Sequence, residues 1–242
     1  MLGSESFDDV KPRRRKREIL AEKSLRAMAL AVRLARSYPD LECPLIHGNT
    51  FQLLIAVILS AQCTDAAVNK VTPALFQRYP DPQALADASI AEIETLIRTL
   101  GLFRAKAKSL KRCARQLVDE FNGNVPSAME ELTRLAGVGR KTANVIRGHA
   151  FAIPGIAVDT HCGRLSRRLG LTRHTDPAKV ENDLARLLPQ KEWTGFSHRL
   201  IIHGRRTCFA RKPACGKCEL AEFCPEREIS ADSSKRMKPK HS

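Results

Sequence analysis

The sequence predicts an all-α protein. Apolar residues recur at helical spacing through most of the chain, and capping residues and breakers punctuate it at short intervals. Nine Phe, two Tyr and one Trp are a thin supply for a β-rich core, whereas Ala and Leu are abundant. No alternating pattern of convincing length appears. The one strand candidate, Ile153 to Val158, contains Pro154, which argues against it.

Residues 1–17 lack hydrophobic periodicity, and the run from Lys11 to Arg17 is expected to be a disordered basic arm. From Arg17 to Ser37, the residues Leu20, Leu25, Met28, Val32 and Ala35 predict an amphipathic helix that ends before Tyr38-Pro39-Asp40. Asn49 or Thr50 can cap a helix over 51–61, Thr64 or Asp65 one over 65–78, and Ser89 one over 90–99. Pro80-Asp81-Pro82, Gly101 and Asn122-Gly123-Asn124 read as breaks. Between Arg104 and Phe121 two stripes coexist. Phe103, Ala107, Leu110, Ala114, Leu117 and Phe121 make a core face, and Arg104, Lys108, Lys111 and Arg115 a basic one. A charge stripe is ordinarily a solvated helix face, so it is weak evidence for phosphate contact.

Residues 127–149 read as two helices joined by a tight turn, the first capped by Ser127 with Glu130 at the capping-box position. The turn is Gly137-Val138-Gly139. Two glycines flanking one apolar residue permit positive φ and close approach of backbone N–H groups to an anion. The next helix, with Arg140, Lys141 and Thr142 in its first turn, offers its positive end to the same place. The pattern suits a phosphate cradle, although a plain helix C-cap and connection reads the same way.

At 242 residues the chain has room for one large domain or two small ones, and it carries a formal net charge of +15. The surplus persists when residues 1–17 and 232–242 are set aside, which points to a polyanionic partner, nucleic acid above all. The longest apolar run, Leu53 to Leu59, is too short to span a membrane. The N-terminus has no apolar signal region, so an intracellular protein is expected. In a reducing compartment its eight cysteines are not expected to pair. Cys43, Cys63, Cys113 and Cys162 are scattered and read as small core residues, whereas Cys208-x6-Cys215-x2-Cys218-x5-Cys224 places four thiols in one short loop. Four soft ligands so close together imply a metal centre, either zinc or iron–sulfur by their chemistry alone.

Several strings together resemble the endonuclease III family of base-excision DNA glycosylases. They are Leu135-Ala-Gly-Val-Gly-Arg-Lys-Thr-Ala-Asn-Val145, then Val158-Asp159-Thr160-His161, with Leu59-Ser-Ala-Gln62-Cys-Thr-Asp65 and Gly101-Leu102-Phe103 upstream. The resemblance covers about residues 20–226. It departs at Ala136, where the family usually has Pro; the turn loses some preorganisation but no chemical group. The cysteine spacing is similar to the family's [4Fe–4S] loop, and the cluster is expected to fold a basic loop that grips DNA.

The resemblance implies a two-lobed helix-hairpin-helix fold: a helical barrel over 43–153 and a cluster lobe made of 18–42 with 154–230, followed by a flexible basic tail over 231–242. It implies that Lys141 attacks C1′ of the damaged nucleotide, forms a Schiff base, and permits β-elimination that nicks the strand. Attack needs a neutral amine, and the positive helix end, Arg140 and burial in a cleft would all disfavour the protonated form of Lys141. Asp159, expected to cap the helix starting near Thr160, would stabilise the developing positive charge or deprotonate the lysine. Taken locally, Lys141 reads equally as a phosphate contact and Asp159 as a mere cap. Gln62 would fill the gap left by a flipped nucleotide, and Leu102 would wedge the stack open.

The activity so implied is excision of oxidised pyrimidines from duplex DNA followed by AP-lyase cleavage, by a monomer, with no nucleotide cofactor and no membrane partner. Two rivals stand beside it: a glycosylase specific for mismatched thymine or uracil, and a non-enzymatic DNA-binding protein with a helix-hairpin-helix.

Overall fold

The computed structural model describes residues 18–41 and 43–227, so the expected N-terminal arm and C-terminal tail lie outside the described residues. Those residues form eleven α-helices and three short 3-10 helices, and no strand is present among them. The segment from Ile153 to Val158 forms no strand among the described residues; its backbone bonds instead to side chains such as those of Asn144, Thr194 and Ser197.

The first helix, α1 (Leu20–Ser37), starts three residues later than periodicity suggested, at a point where the Glu22 carboxylate accepts a bond from the Ile19 N–H at 3.1 Å. The caps of the next helices are side chains the sequence offered. Asn49 caps α2 (Thr50–Leu59), Thr64 caps α3 (Asp65–Arg78), and Ser89 caps α5 (Ile90–Ile97). Between the last two lies α4 (Pro82–Asp87), at the place read as a break. Asp81 is its N-cap and Pro82 its first residue, where proline's missing N–H costs nothing.

The long α6 (Phe103–Phe121) buries the expected apolar stripe. Its basic stripe is not simply solvated. Lys111 donates to the Ala88 carbonyl at 2.7 Å and Arg115 to Asp87 at 2.7 Å, so both hold α4 against α6.

The hairpin is α7 (Met129–Arg134) and α8 (Arg140–Ala150). Ser127 does not cap α7; the helix begins one residue too late, with Ala128 at the N-cap and no side-chain bond there. Then follow α9 (Thr160–Arg168), α10 (Pro177–Leu187) and α11 (Trp193–Arg206), and finally the cysteine loop.

Buried apolar side chains fall into two clusters. One is drawn from residues 45–146, and α2 is its hub: Phe51 and every residue from Leu53 to Leu59 are buried, as befits a helix apolar on all sides. The other joins α1 to residues from Ile156 onward, with Leu30, Leu34, Leu165, Val180, Leu184, Phe196 and Leu200 in its interior. The chain therefore starts in the second cluster, builds the first, and returns through the extended segment that leads to Asp159.

Candidate active site and cluster loop

The turn between α7 and α8 is fixed by one glycine and opened by another. Gly137 has φ +82, and a Cβ there would lie 3.0 Å from Ile58 Cγ2 and 3.3 Å from Ser109 Cβ, so only glycine fits. Gly139 is extended rather than left-handed, at φ −95, and a Cβ on it would meet nothing. Of the two expected positive-φ glycines, only Gly137 is one. Val138 is buried and plugs the turn into the first cluster, while its N–H donates to the Leu135 carbonyl at 3.1 Å. The N–H groups of Gly139, Arg140, Lys141 and Thr142 find no acceptor among the described residues. Four free donors at a helix N-terminus on the surface form an anion site by geometry and by dipole.

Lys141, the second residue of α8, is exposed, so the burial expected for it is absent. Arg140 beside it is engaged: its Nε and a terminal nitrogen bond Glu181 of α10 at 2.7 and 3.0 Å. Further along α8, buried Asn144 donates through Nδ2 to the Ile156 carbonyl at 2.9 Å. Gly155 makes room for this link, since a Cβ there would sit 2.6 Å from Asn144 Oδ1. The link joins a point three residues after Lys141 to a point three residues before Asp159, and so ties the two candidates' backbones together. Asp159 is the N-cap of α9, its Oδ1 accepting from the Cys162 N–H at 2.8 Å. Its other carboxylate oxygen has no partner among the described residues, and no ion pair there joins Lys141 to Asp159.

Gln62 and Leu102 are both exposed, and both are non-glycine residues with left-handed backbone, at φ 56 and 59. Each such residue costs about 1–2 kcal/mol, which the surrounding structure must hold. Gln62 lies in the turn after α2, and Leu102 is the residue before α6. Both side chains project from short, constrained loops into solvent.

The four loop cysteines are free thiols that line one cavity of about 90 Å³, together with Arg168, Thr207 and Ala221. Cys215 opens a 3-10 turn and Cys218 and Cys224 follow short 3-10 turns, so tight local winding turns these three toward the space that Cys208, just after α11, also lines. Burial pushes the Cys218 thiol up to about 11 and raises Cys224 too. A cationic metal centre is what would keep such groups as thiolates, so the donor set fits an iron–sulfur cluster. Around the cavity, Arg168 donates to Cys208 Sγ at 3.3 Å, and buried His203 brings Nε2 within 3.3 Å of Cys218 Sγ while Nδ1 meets the Tyr38 hydroxyl at 2.9 Å. Of the other cysteines, Cys113 and Cys162 are buried as expected, whereas Cys43 and Cys63 are only partly buried at the edge of the first cluster, and Cys63 meets Lys106 Nζ at 2.9 Å.

Four of these contacts are not readable as such in the sequence. Arg168 and His203 carried no signal beside the cysteines, and Glu181 none beside Arg140. Lys106 did carry one: it lies three residues after Phe103 and four before Leu110, on the apolar face of α6, where a lysine is out of place.

The family model for the HhH-GPD superfamily base excision DNA repair proteins matches residues 55–190. The model for the iron–sulfur binding domain of endonuclease III matches residues 208–224, beginning and ending on the outer cysteines. The chain is 54% identical over 212 residues to endonuclease III of Synechocystis sp., covering 87% of this chain and 97% of that protein. It is 45% identical over 190 residues to endonuclease III of Bacillus subtilis, covering 78% and 87%. Among solved structures it is similar to a trapped endonuclease III–DNA covalent intermediate, with TM-score 0.81 and 44% identity over 86% of this chain and 98% of that one.

Proposed function

The chain belongs to the endonuclease III family and is a base excision repair DNA glycosylase with AP-lyase activity and a structural iron–sulfur cluster, and from that premise we propose which residues do the chemistry, and on what. Family membership excludes the non-enzymatic reading. The observation that carries the assignment is Lys141 in the first turn of a helix whose four leading N–H groups are free.

A phosphate of the damaged strand docks on the N–H groups of Gly139, Arg140, Lys141 and Thr142, with Gly137 and buried Val138 fixing the turn beneath them. The flipped nucleotide is thereby brought to Lys141, whose exposed amine is desolvated only when DNA covers it. Lys141 Nζ in its neutral form attacks C1′, and the N-glycosidic bond breaks with its electron pair passing to the base, which leaves protonated. The sugar ring opens to a Schiff base. Loss of a C2′ proton then expels the 3′ phosphate, and hydrolysis of the imine frees the lysine. Asp159, with one carboxylate oxygen committed to the cap and one free, stabilises the positive charge that develops on the sugar or takes the proton from Lys141. Gln62 fills the vacated position in the stack, and Leu102 wedges it open.

Cys208, Cys215, Cys218 and Cys224 would hold a [4Fe–4S] cluster, and the loop they span carries Arg211, Lys212 and Lys217 for contact with DNA. When bound, the cluster supplies thiolate–iron bonds that replace the core this short loop lacks. The substrate is duplex DNA bearing an oxidised pyrimidine. No nucleotide is consumed, and the protein acts as a monomer inside the cell. No helix among the described residues is long and apolar enough to cross a membrane.

Product analysis on duplexes carrying one oxidised pyrimidine, one mismatched thymine or one uracil tests the substrate. Release of the oxidised base with strand cleavage is expected; release of thymine or uracil alone would overturn the assignment in favour of a mismatch glycosylase.

A further inference from the structure

Lys106 stands where a lysine is least expected. It lies in the first turn of α6, where the helix dipole opposes a cation, and the residue is 5% exposed. Among the described residues its ammonium has one hydrogen-bond partner, Cys63 Sγ at 2.9 Å. A buried ammonium is costly unless paired, so this contact is structurally enforced. Cys63 directly follows Gln62. The backbone N–H of Lys106 itself donates to the Leu102 carbonyl at 3.0 Å. That main-chain bond is the ordinary first-turn bond that fixes Leu102 to the start of α6, and the Lys106 ammonium then ties this helix start to the neighbour of Gln62. The two loops also lie against each other directly: Cys63 Sγ is 4.0 Å from the Gly101 carbonyl, and a Cβ on Gly101 would be 3.9 Å from Cys63 Sγ and 4.0 Å from the Gln62 carbonyl. Both tip residues, Gln62 and Leu102, hold left-handed backbone that neither would adopt by preference.

We propose that Lys106 is a positioning residue that couples Gln62 and Leu102, through Cys63, into a single wedge that enters the DNA stack as one body. The proposal rests on the reading of Gln62 and Leu102 as the residues that enter the duplex. Preorganising both tips on one anchor removes the cost of ordering two loops separately when the duplex is opened. The anchor touches neither DNA nor the reacting atoms.

The test uses the full-length, cluster-loaded protein and a duplex with 2-aminopurine beside one oxidised pyrimidine, whose fluorescence reports unstacking. Lys106→Met keeps the stem and removes the charge. It is expected to lower unstacking amplitude and kcat/KM about tenfold with Tm and visible absorption unchanged. Cys63→Ala is expected to act in the same direction, and Cys63→Ser, whose hydroxyl accepts from Nζ, to restore the native value.

A double-mutant cycle separates coupling from simple support. In the native background, Gln62→Ala and Leu102→Ala together should cost much less than the product of their separate fold-losses; in Lys106→Met the losses should multiply. Losses that multiply in both backgrounds, or a Lys106→Met enzyme that unstacks normally, would overturn the coupling while leaving the insertion reading intact. If Gln62→Ala and Leu102→Ala each leave unstacking and excision unchanged, the insertion reading fails and takes the coupling with it.

Discussion

Arg140 and Glu181 form a two-point ion pair, at 2.7 and 3.0 Å, between the first residue of α8 and the middle of α10. The guanidinium beside Lys141 is thus committed within the protein. Its charge is offset next to Lys141, and the turn presents backbone N–H groups more freely than it presents that guanidinium. Specific docking by main chain, with cationic attraction held back, suits an enzyme that must leave undamaged DNA.

Releasing Arg140 should therefore strengthen indiscriminate binding. Glu181→Gln keeps an acceptor for Asn144 and loses the charge. Affinity for undamaged duplex should rise, and the slope of log affinity against log salt should steepen by about one phosphate contact. Arg140 is half-exposed but Glu181 is largely buried, so the pair is not a free surface contact and the variant should lose about 1–2 kcal/mol. Fluorescence anisotropy across a salt series checks this; an unchanged slope would mean that Arg140 does not reach phosphate even when free.

The two hairpin glycines should respond in opposite ways. Gly137→Ala meets Ile58 and Ser109 at a left-handed position and should lose about 2–4 kcal/mol in denaturant unfolding, along with most DNA affinity. Gly139→Ala adds a methyl into open space at an ordinary backbone angle and should fold as stably as the native chain. Equal destabilisation by both would contradict the geometry of the turn.

Asp159 caps α9, and the proposed chemistry gives it a second, separable duty. Asparagine caps a helix about as well as aspartate, so Asp159→Asn should keep Tm while excision falls on the order of 10²-fold or more. Asp159→Ala should lose a further ~1 kcal/mol of stability with the Cys162 N–H bond. Single-turnover rates and thermal melts on the two variants check this together. An Asp159→Asn enzyme of native activity would reduce Asp159 to its cap.

The cysteines divide by location. Cys215→Ser should lower iron content and visible absorption and make the 208–224 loop accessible to protease. Cys113→Ala should leave the iron content unchanged, because Cys113 lies in the first cluster, where burial pushes its thiol up to about 12. Loss of iron from both variants would contradict the four-cysteine assignment.

What the sequence made legible follows from how local each cause is. The caps at Asn49, Thr64, Ser89 and Asp159 act within three residues and were readable. Ser127 was misread because Ala128, one residue later, is where the backbone turns helical. The Pro80-Asp81-Pro82 string was read as a break, although Asp followed by Pro is also how a helix begins. The partners of Lys111 and Arg115, Ala88 and Asp87, lie at the C-terminal end of that helix, which the sequence pattern does not reveal. The candidate site residues come from the resemblance to a family and not from any local pattern. The contacts that fix them, from Glu181, Asn144 and Lys106, join segments far apart in the chain, and periodicity is blind to such pairings. Nothing in the residue types announced the left-handed backbone of Gln62 and Leu102.

The central claim, that Lys141 is the amine that forms the Schiff base, is tested most directly by borohydride trapping on a duplex carrying one oxidised pyrimidine, with Lys141→Ala beside the native protein. The account predicts a covalent protein–DNA adduct with the native chain and none with the variant, while the variant still binds the duplex. Base release by the native protein with no adduct, or an adduct that survives in Lys141→Ala, would contradict it.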